Sequence, residues 1–131
     1  MPFALVLTVV LAGLAAFQAA LAAGAPWGTL AWGGQHRVLP VRLRVASAVS
    51  ILVYLLIDLI AWTRVGALRL FPPPVAEVAM WVIFGYFSLG ILMNAVSRSP
   101  AERYTMVPVA LVLAVSSFFI ALGWGALAYA V

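Results

Sequence analysis

Apolar residues gather along this chain in four long blocks, separated by short stretches rich in Pro, Gly, Ser and Arg. A membrane-crossing helix needs about 20 consecutive apolar residues at ~1.5 Å rise each. The blocks predict helices over approximately 3–23, 45–63, 75–96 and 100–130, the apolar part of the last starting near Thr105. A long Gly- and Trp-rich loop, 24–44, joins the first two. This is an all-α, four-transmembrane-helix bundle that uses the whole chain as one domain.

Local signals mark the helix ends. Pro72-Pro73-Pro74 cannot continue a helix, but Pro74 suits a first helical position. That places Glu77 in the first turn, where the helix dipole favours an anion. Pro40 reads as the first residue of helix 2. Ser99-Pro100-Ala101-Glu102 reads as a capping box, with Ser99 as N-cap and Glu102 reaching back. Pro108 is positioned to kink helix 4. The first block ends in Ala22-Ala23-Gly24-Ala25, small residues that suit a signal cleavage site. It has no basic segment ahead of it and is longer than a usual signal core, so it reads as a retained helix.

Composition sharpens the class. Of 131 residues, 67% are hydrophobic and 8% charged. A soluble domain carries about 25% charged residues, so this chain lacks the polar surface of a soluble enzyme. A disordered tail is excluded for the same reason. The absence of cysteine excludes a disulfide-stapled module.

All seven basic residues are arginine, against three acids, for a net charge of +4. Loops 1 and 3 carry Arg37, Arg42, Arg44, Arg98 and Arg103, whereas loop 2 carries Arg64 and Arg69. The positive-inside rule then puts loops 1 and 3 in the cytoplasm and both termini outside a cell membrane. Arg42, Arg44, Arg98 and Arg103 are candidates for lipid headgroups, since guanidinium pairs well with phosphate. A nucleic-acid partner is not expected. Trp62, Trp81 and Trp124, with Tyr129, fall toward the outer helix ends, as interfacial rings should.

Small residues suggest how the helices pack. Ala110, Ala114, Ser117, Ala121, Gly125 and Ala128 share one face of helix 4. Ala12, Ala16 and Ala20, flanked by Ala15, Ala19 and Ala23, do the same on helix 1. Close backbone approach drives helix association in lipid, so these two faces are expected at tight interfaces. Phe84, Phe87, Phe118 and Phe119 are expected to be exposed, making a homo-oligomer or a larger membrane complex plausible.

Few residues can carry chemistry. Ser50, Tyr54 and Asp58 recur every fourth position and form one polar face of helix 2. A carboxylate inside a span is costly and usually functional, so Asp58 is a candidate ligand or proton site. Its structural alternative is a buried carboxyl bonded to Tyr54, a Trp N–H or Arg64. Gln18, Ser47 and Asn94 lie at similar depth near loop 1 and form a polar vestibule if all face inward. Loop 1 is positioned to cap that vestibule and present His36 and Arg37.

One histidine without cysteine makes no zinc site, and no cofactor motif is present. Length and span count are similar to those of small multidrug transporters, fluoride channels and vitamin K epoxide reductases. The first-helix glutamate, the Gly-rich arginine motif and the Cys pair of those families are missing. Three readings follow. The first is a non-enzymatic protein that binds a lipid or small ligand, or serves as an accessory subunit. The second is a small homo-oligomeric transporter with Asp58 as its titrating site. The third is an intramembrane enzyme at the cytoplasmic face, built on His36, Glu102 and Arg103.

Overall fold

The computed structural model describes residues 2–123. Four helices organise them: α1 (Pro2–Ala22), α2 (Val41–Arg64), α3 (Pro73–Ala95) and α4 (Pro100–Ala121). Each is long and apolar enough to cross a membrane, and no strand occurs among the described residues. The protein is a small multi-pass membrane protein built as a four-helix bundle. Trp124, Gly125, Ala128 and Tyr129 lie outside the described residues.

Each helix packs on its chain neighbour and α4 returns to α1, closing a ring in which α3 and α4 form the most extensive pair. Loops 1 and 3 meet at one end of the bundle, where Ser99 Oγ donates to the Thr29 carbonyl at 2.6 Å. At the other end, beside loop 2, Phe3 stacks on Phe119 with ring centroids 4.8 Å apart.

Several helix ends differ from expectation for local reasons. Pro40 is the N-cap of α2 rather than its first residue, and the helix starts at Val41, four residues early. Pro72 caps α3, Pro73 and Pro74 occupy its first two positions, and Glu77 falls beyond the first turn. Ser99 caps α4 as expected, its Oγ accepting from Glu102 N at 3.3 Å. The return arm of the capping box is missing, because Ser99 N donates to Ser97 Oγ and the Glu102 side chain is engaged elsewhere. The helix continues unbroken through Pro108 and ends at Ala121. Gly123, at φ +85°, then turns the chain. The left-handed region costs glycine nothing and so ends helices. The continuous helix expected to 130 is interrupted there.

The tight core lies in the half of the bundle near loop 2. Leu7 and Leu11 of α1, Ile57 and Ala61 of α2, Met80 and Ile83 of α3, and Ala114 and Ile120 of α4 meet there. The small stripe of α4 is buried at Ala110, Ala114, Ser117 and Ala121, as expected of a tight interface. On α1 the stripe expectation fails: Ala12, Ala16, Ala19 and Ala23 are exposed. The seam of α1 is instead Ala4, Leu7, Leu11, Gln18 and Leu21. A leucine brings many more dispersion contacts than an alanine, so one small helix face meets larger partners. The aromatic expectation also changes. Phe87 is buried, and Phe84 and Phe118 pack with Trp81 in a ring cluster between α3 and α4.

Two arginines finish helices other than their own, and a third braces loop 3. Arg44 Nε donates to the Ala22 carbonyl at the end of α1, at 2.9 Å. Arg64 Nη2 donates to the Ala121 carbonyl at the end of α4, at 3.0 Å. Arg103 Nη1 donates to the Ser97 carbonyl just beyond α3, at 3.1 Å. The last carbonyls of a helix have no partner within it, and a cation there complements the dipole.

Candidate functional site

Away from the packed half, the helices part around a cavity of about 680 Å³. Its walls come from all four helices and its cover from loop 1. Gln18, Ser50, Tyr54, Asn94 and His36 all line it. Arg37 does not: its carbonyl accepts from Gly28 N at 2.8 Å and the residue is exposed. Asp58 lies outside the lining as well.

The deepest polar feature joins α1 and α2. Side chains in a helix lean toward its N-terminus. Gln18 therefore leans away from loop 1, while Tyr54, on an antiparallel helix, leans toward it. They meet, with Gln18 Nε2 donating to Tyr54 Oη at 3.2 Å. Gln18 is 8% exposed, and no described residue donates to its Oε1. A buried polar atom left unsatisfied costs about 1–3 kcal/mol, so this arrangement is a poor one for stability alone. Nearer the loop, Asn94 Nδ2 donates to the Gly90 carbonyl at 2.8 Å and Ser50 Oγ to the Ala46 carbonyl at 3.0 Å.

Loop 1 closes the cavity by specific bonds. Two short turns, Gly28–Leu30 and Trp32–Gly34, fold it over the helix ends. Trp32 holds φ +53° and is followed by Gly33 at +81° and Gly34 at +71°. A bulky residue in this region costs about 1–3 kcal/mol and persists only where its surroundings impose it. Here the indole Nε1 donates to the buried Ser47 Oγ at 3.0 Å. The next residue, Gly33, donates its N–H to Glu102 Oε2 at 3.0 Å. A Cβ on Gly34 would strike the Ser99 side chain, so glycine lets loop 1 touch the start of α4.

Glu102 is therefore buried and committed to the loop. Arg103 is bonded to Ser97 and lies over the Tyr104 ring, 5.2 Å from its centroid. Among the headgroup candidates, Arg42 lines the cavity and is exposed, as is Arg98 outside it. Arg44 holds the last carbonyl of α1 and Arg103 a carbonyl of loop 3.

Asp58 sits in a separate cluster toward the loop 2 end. Thr8 Oγ1 lies 2.6 Å from Asp58 Oδ1 and 2.8 Å from the Ala4 carbonyl. It also accepts from Trp62 Nε1 at 2.8 Å. Of the three partners foreseen for Asp58, Tyr54 bonds Gln18, Arg64 bonds Ala121, and the Trp62 N–H reaches Thr8 instead. Thr8 was the missed residue. Its signal was depth: it stands six residues inside Pro2, as Asp58 stands six inside Arg64, on antiparallel helices. Comparison with protein-family models, curated proteins and solved structures finds no match to this chain.

Proposed function

We propose that this protein is a non-enzymatic binding protein of the membrane that holds a small amphipathic molecule in the cavity beneath loop 1. The observation that carries the reading is Gln18 Oε1, buried in the cavity wall with no donor among the described residues. A ligand hydroxyl or amine supplies that donor. The remaining wall is mainly apolar and aromatic, as ligand pockets are, with a few convergent polar groups.

Transport through Asp58 is less well supported, because Asp58 lies away from the cavity and the core is packed around its level. An enzyme on His36, Glu102 and Arg103 is disfavoured by the structural bonds that occupy Glu102 and Arg103. The orientation belongs to the same proposal: loops 1 and 3 face the cytoplasm, with Arg42 and Arg98 against lipid phosphates. The natural absence of cysteine makes single-cysteine labelling clean. Reagents that cannot cross the membrane should reach position 70 in intact cells and miss positions 35 and 98.

Mass spectrometry of an organic extract tests the binding itself. Protein purified in mild detergent should release a stoichiometric small molecule, and Gln18→Leu should release much less while eluting and folding as wild type. Finding no retained molecule, or equal amounts from both, would overturn the reading.

A further inference from the structure

The polarity and access of this cavity narrow the class of its occupant, an inference that rests on the binding reading above. Gln18 stands four residues, about 6 Å, inside the end of α1. Arg44 binds the Ala22 carbonyl at that end and marks the level of a charged group. The Gln18 amide thus lies deeper than guanidinium, within the span. A phospholipid seated in the bilayer presents hydrocarbon at that depth, and hydrocarbon cannot satisfy Oε1. The occupant needs a small head that carries a hydrogen-bond donor into the apolar layer.

Two further observations describe that molecule. Tyr86, Leu89 and Met93 line the cavity yet are 53%, 56% and 61% exposed. Their spacing of three and four puts them on one edge of α3, and Ser50 and Tyr54 line the cavity from α2. The cavity therefore opens sideways between α2 and α3, at a level where lipid surrounds the bundle. Loop 1 meanwhile ties down the loop end through Trp32–Ser47, Gly33–Glu102 and Thr29–Ser99. Gln35 and Arg42 at the loop end also line the cavity and are exposed, so the bilayer side is one of two openings, and the one in which an apolar tail can remain. Phe17, Trp32, Tyr54, Tyr86 and Phe87 line the cavity, rings that favour stacking or edge contacts with another ring.

We propose that the cavity binds a quinol-type lipid, a hydroxylated aromatic ring on an apolar tail, admitted between α2 and α3 with a ring hydroxyl donating to Gln18 Oε1. Tyr54 Oη, which accepts from Gln18, is free to donate to an oxygen of the same ring.

Binding of three synthetic probes in phosphatidylcholine nanodiscs tests this: a decyl-substituted hydroquinone, its dimethyl ether, and the hydroquinone without the tail. The ether keeps the shape and removes both donors. The decyl hydroquinone should bind about tenfold more tightly than the ether, the factor that one hydrogen bond of ~1.4 kcal/mol supplies. Gln18→Leu should shrink that preference to about twofold or less, and the tailless ring should bind more weakly than the decyl form. Equal binding of hydroquinone and ether, or a preference that survives Gln18→Leu, overturns the assignment. If neither probe binds while an extracted lipid is still lost in Gln18→Leu, the quinol class is wrong and the binding reading stands. If no extracted molecule is found either, both fall.

Discussion

Thr8 and Asp58, fifty positions apart, lie 2.6 Å apart across the α1–α2 interface. Thr8 has a single hydroxyl hydrogen and two oxygens within reach, Asp58 Oδ1 and the Ala4 carbonyl, while it accepts from Trp62. One threonine therefore organises α1, the polar face of α2 and an indole N–H. Replacing Thr8 by Val removes that donor and the acceptor of the Trp62 N–H, and should destabilise by about 1–3 kcal/mol. Asn at position 58 brings its own donor and releases the Thr8 hydrogen to Ala4, so Asp58→Asn should be close to neutral. A double-mutant cycle of Thr8→Val with Asp58→Leu should give a coupling of about 0.6–1.7 kcal/mol in reversible detergent unfolding. Additive losses would remove this bond from the account.

One of the three bonds that hold the cover of the cavity is made by a buried carboxylate. Glu102 Oε2 receives the Gly33 N–H, a charge-assisted bond of the stronger kind. Glu102→Ala should release loop 1 while leaving the four helices in place. Amide exchange of Gly33 and its neighbours should then speed up at least tenfold, with the α3–α4 core unchanged. Protection of loop 1 that is identical in both proteins would mean the latch lies elsewhere.

Glycine is needed unequally along loop 1. A Cβ on Gly28 would run into the His36 carbonyl, and one on Gly34 into Ser99, whereas Gly33 faces open space. Gly34 also carries a positive φ. Gly28→Ala and Gly34→Ala should lower thermal stability clearly. Gly33→Ala should cost only about the 1–2 kcal/mol of an alanine held in the left-handed region. Finding Gly33→Ala the worst of the three would contradict the described path of the loop.

Arg64 is the cleanest test of helix finishing. Its Nη2 bond to Ala121 joins the ends of α2 and α4. Arg64→Met keeps much of the side-chain length and removes the donor, and should destabilise by about 1–3 kcal/mol, the cost of an orphaned carbonyl. Arg69→Met, on an exposed loop residue, should be within about 0.5 kcal/mol of wild type. Paired thermal unfolding of the two variants makes the comparison.

Local chemistry made much of this molecule readable in advance. Four apolar blocks, the Pro72–Pro74 stop and the Ser99 cap are decided within a few residues, because helix length and end chemistry are local matters. Depth along antiparallel helices grouped Gln18, Ser47 and Asn94, and the cavity collects Gln18 and Asn94, with Ser50 and Tyr54 from the polar face of α2, while Ser47 is taken by Trp32 and Asp58 lies elsewhere. The same depth rule would have paired Thr8 with Asp58, had a lone hydroxyl been weighed. The second arm of the capping box was misread for a different reason. The Glu102 carboxylate had a competing donor sixty-nine residues away, the Gly33 N–H, which no local pattern announces.

What the amino-acid order determined alone is the medium and the number of crossings: long apolar runs must leave water, and their backbone must close its own hydrogen bonds as helices. Tertiary structure decided which face each helix turns inward. In lipid every apolar face is equally tolerated, so facing is chosen by packing and by the few polar groups that must find partners. That choice put leucines rather than alanines in the seam of α1 and spent two arginines on the ends of neighbouring helices. It also left one amide oxygen of Gln18 in a cavity wall without a donor.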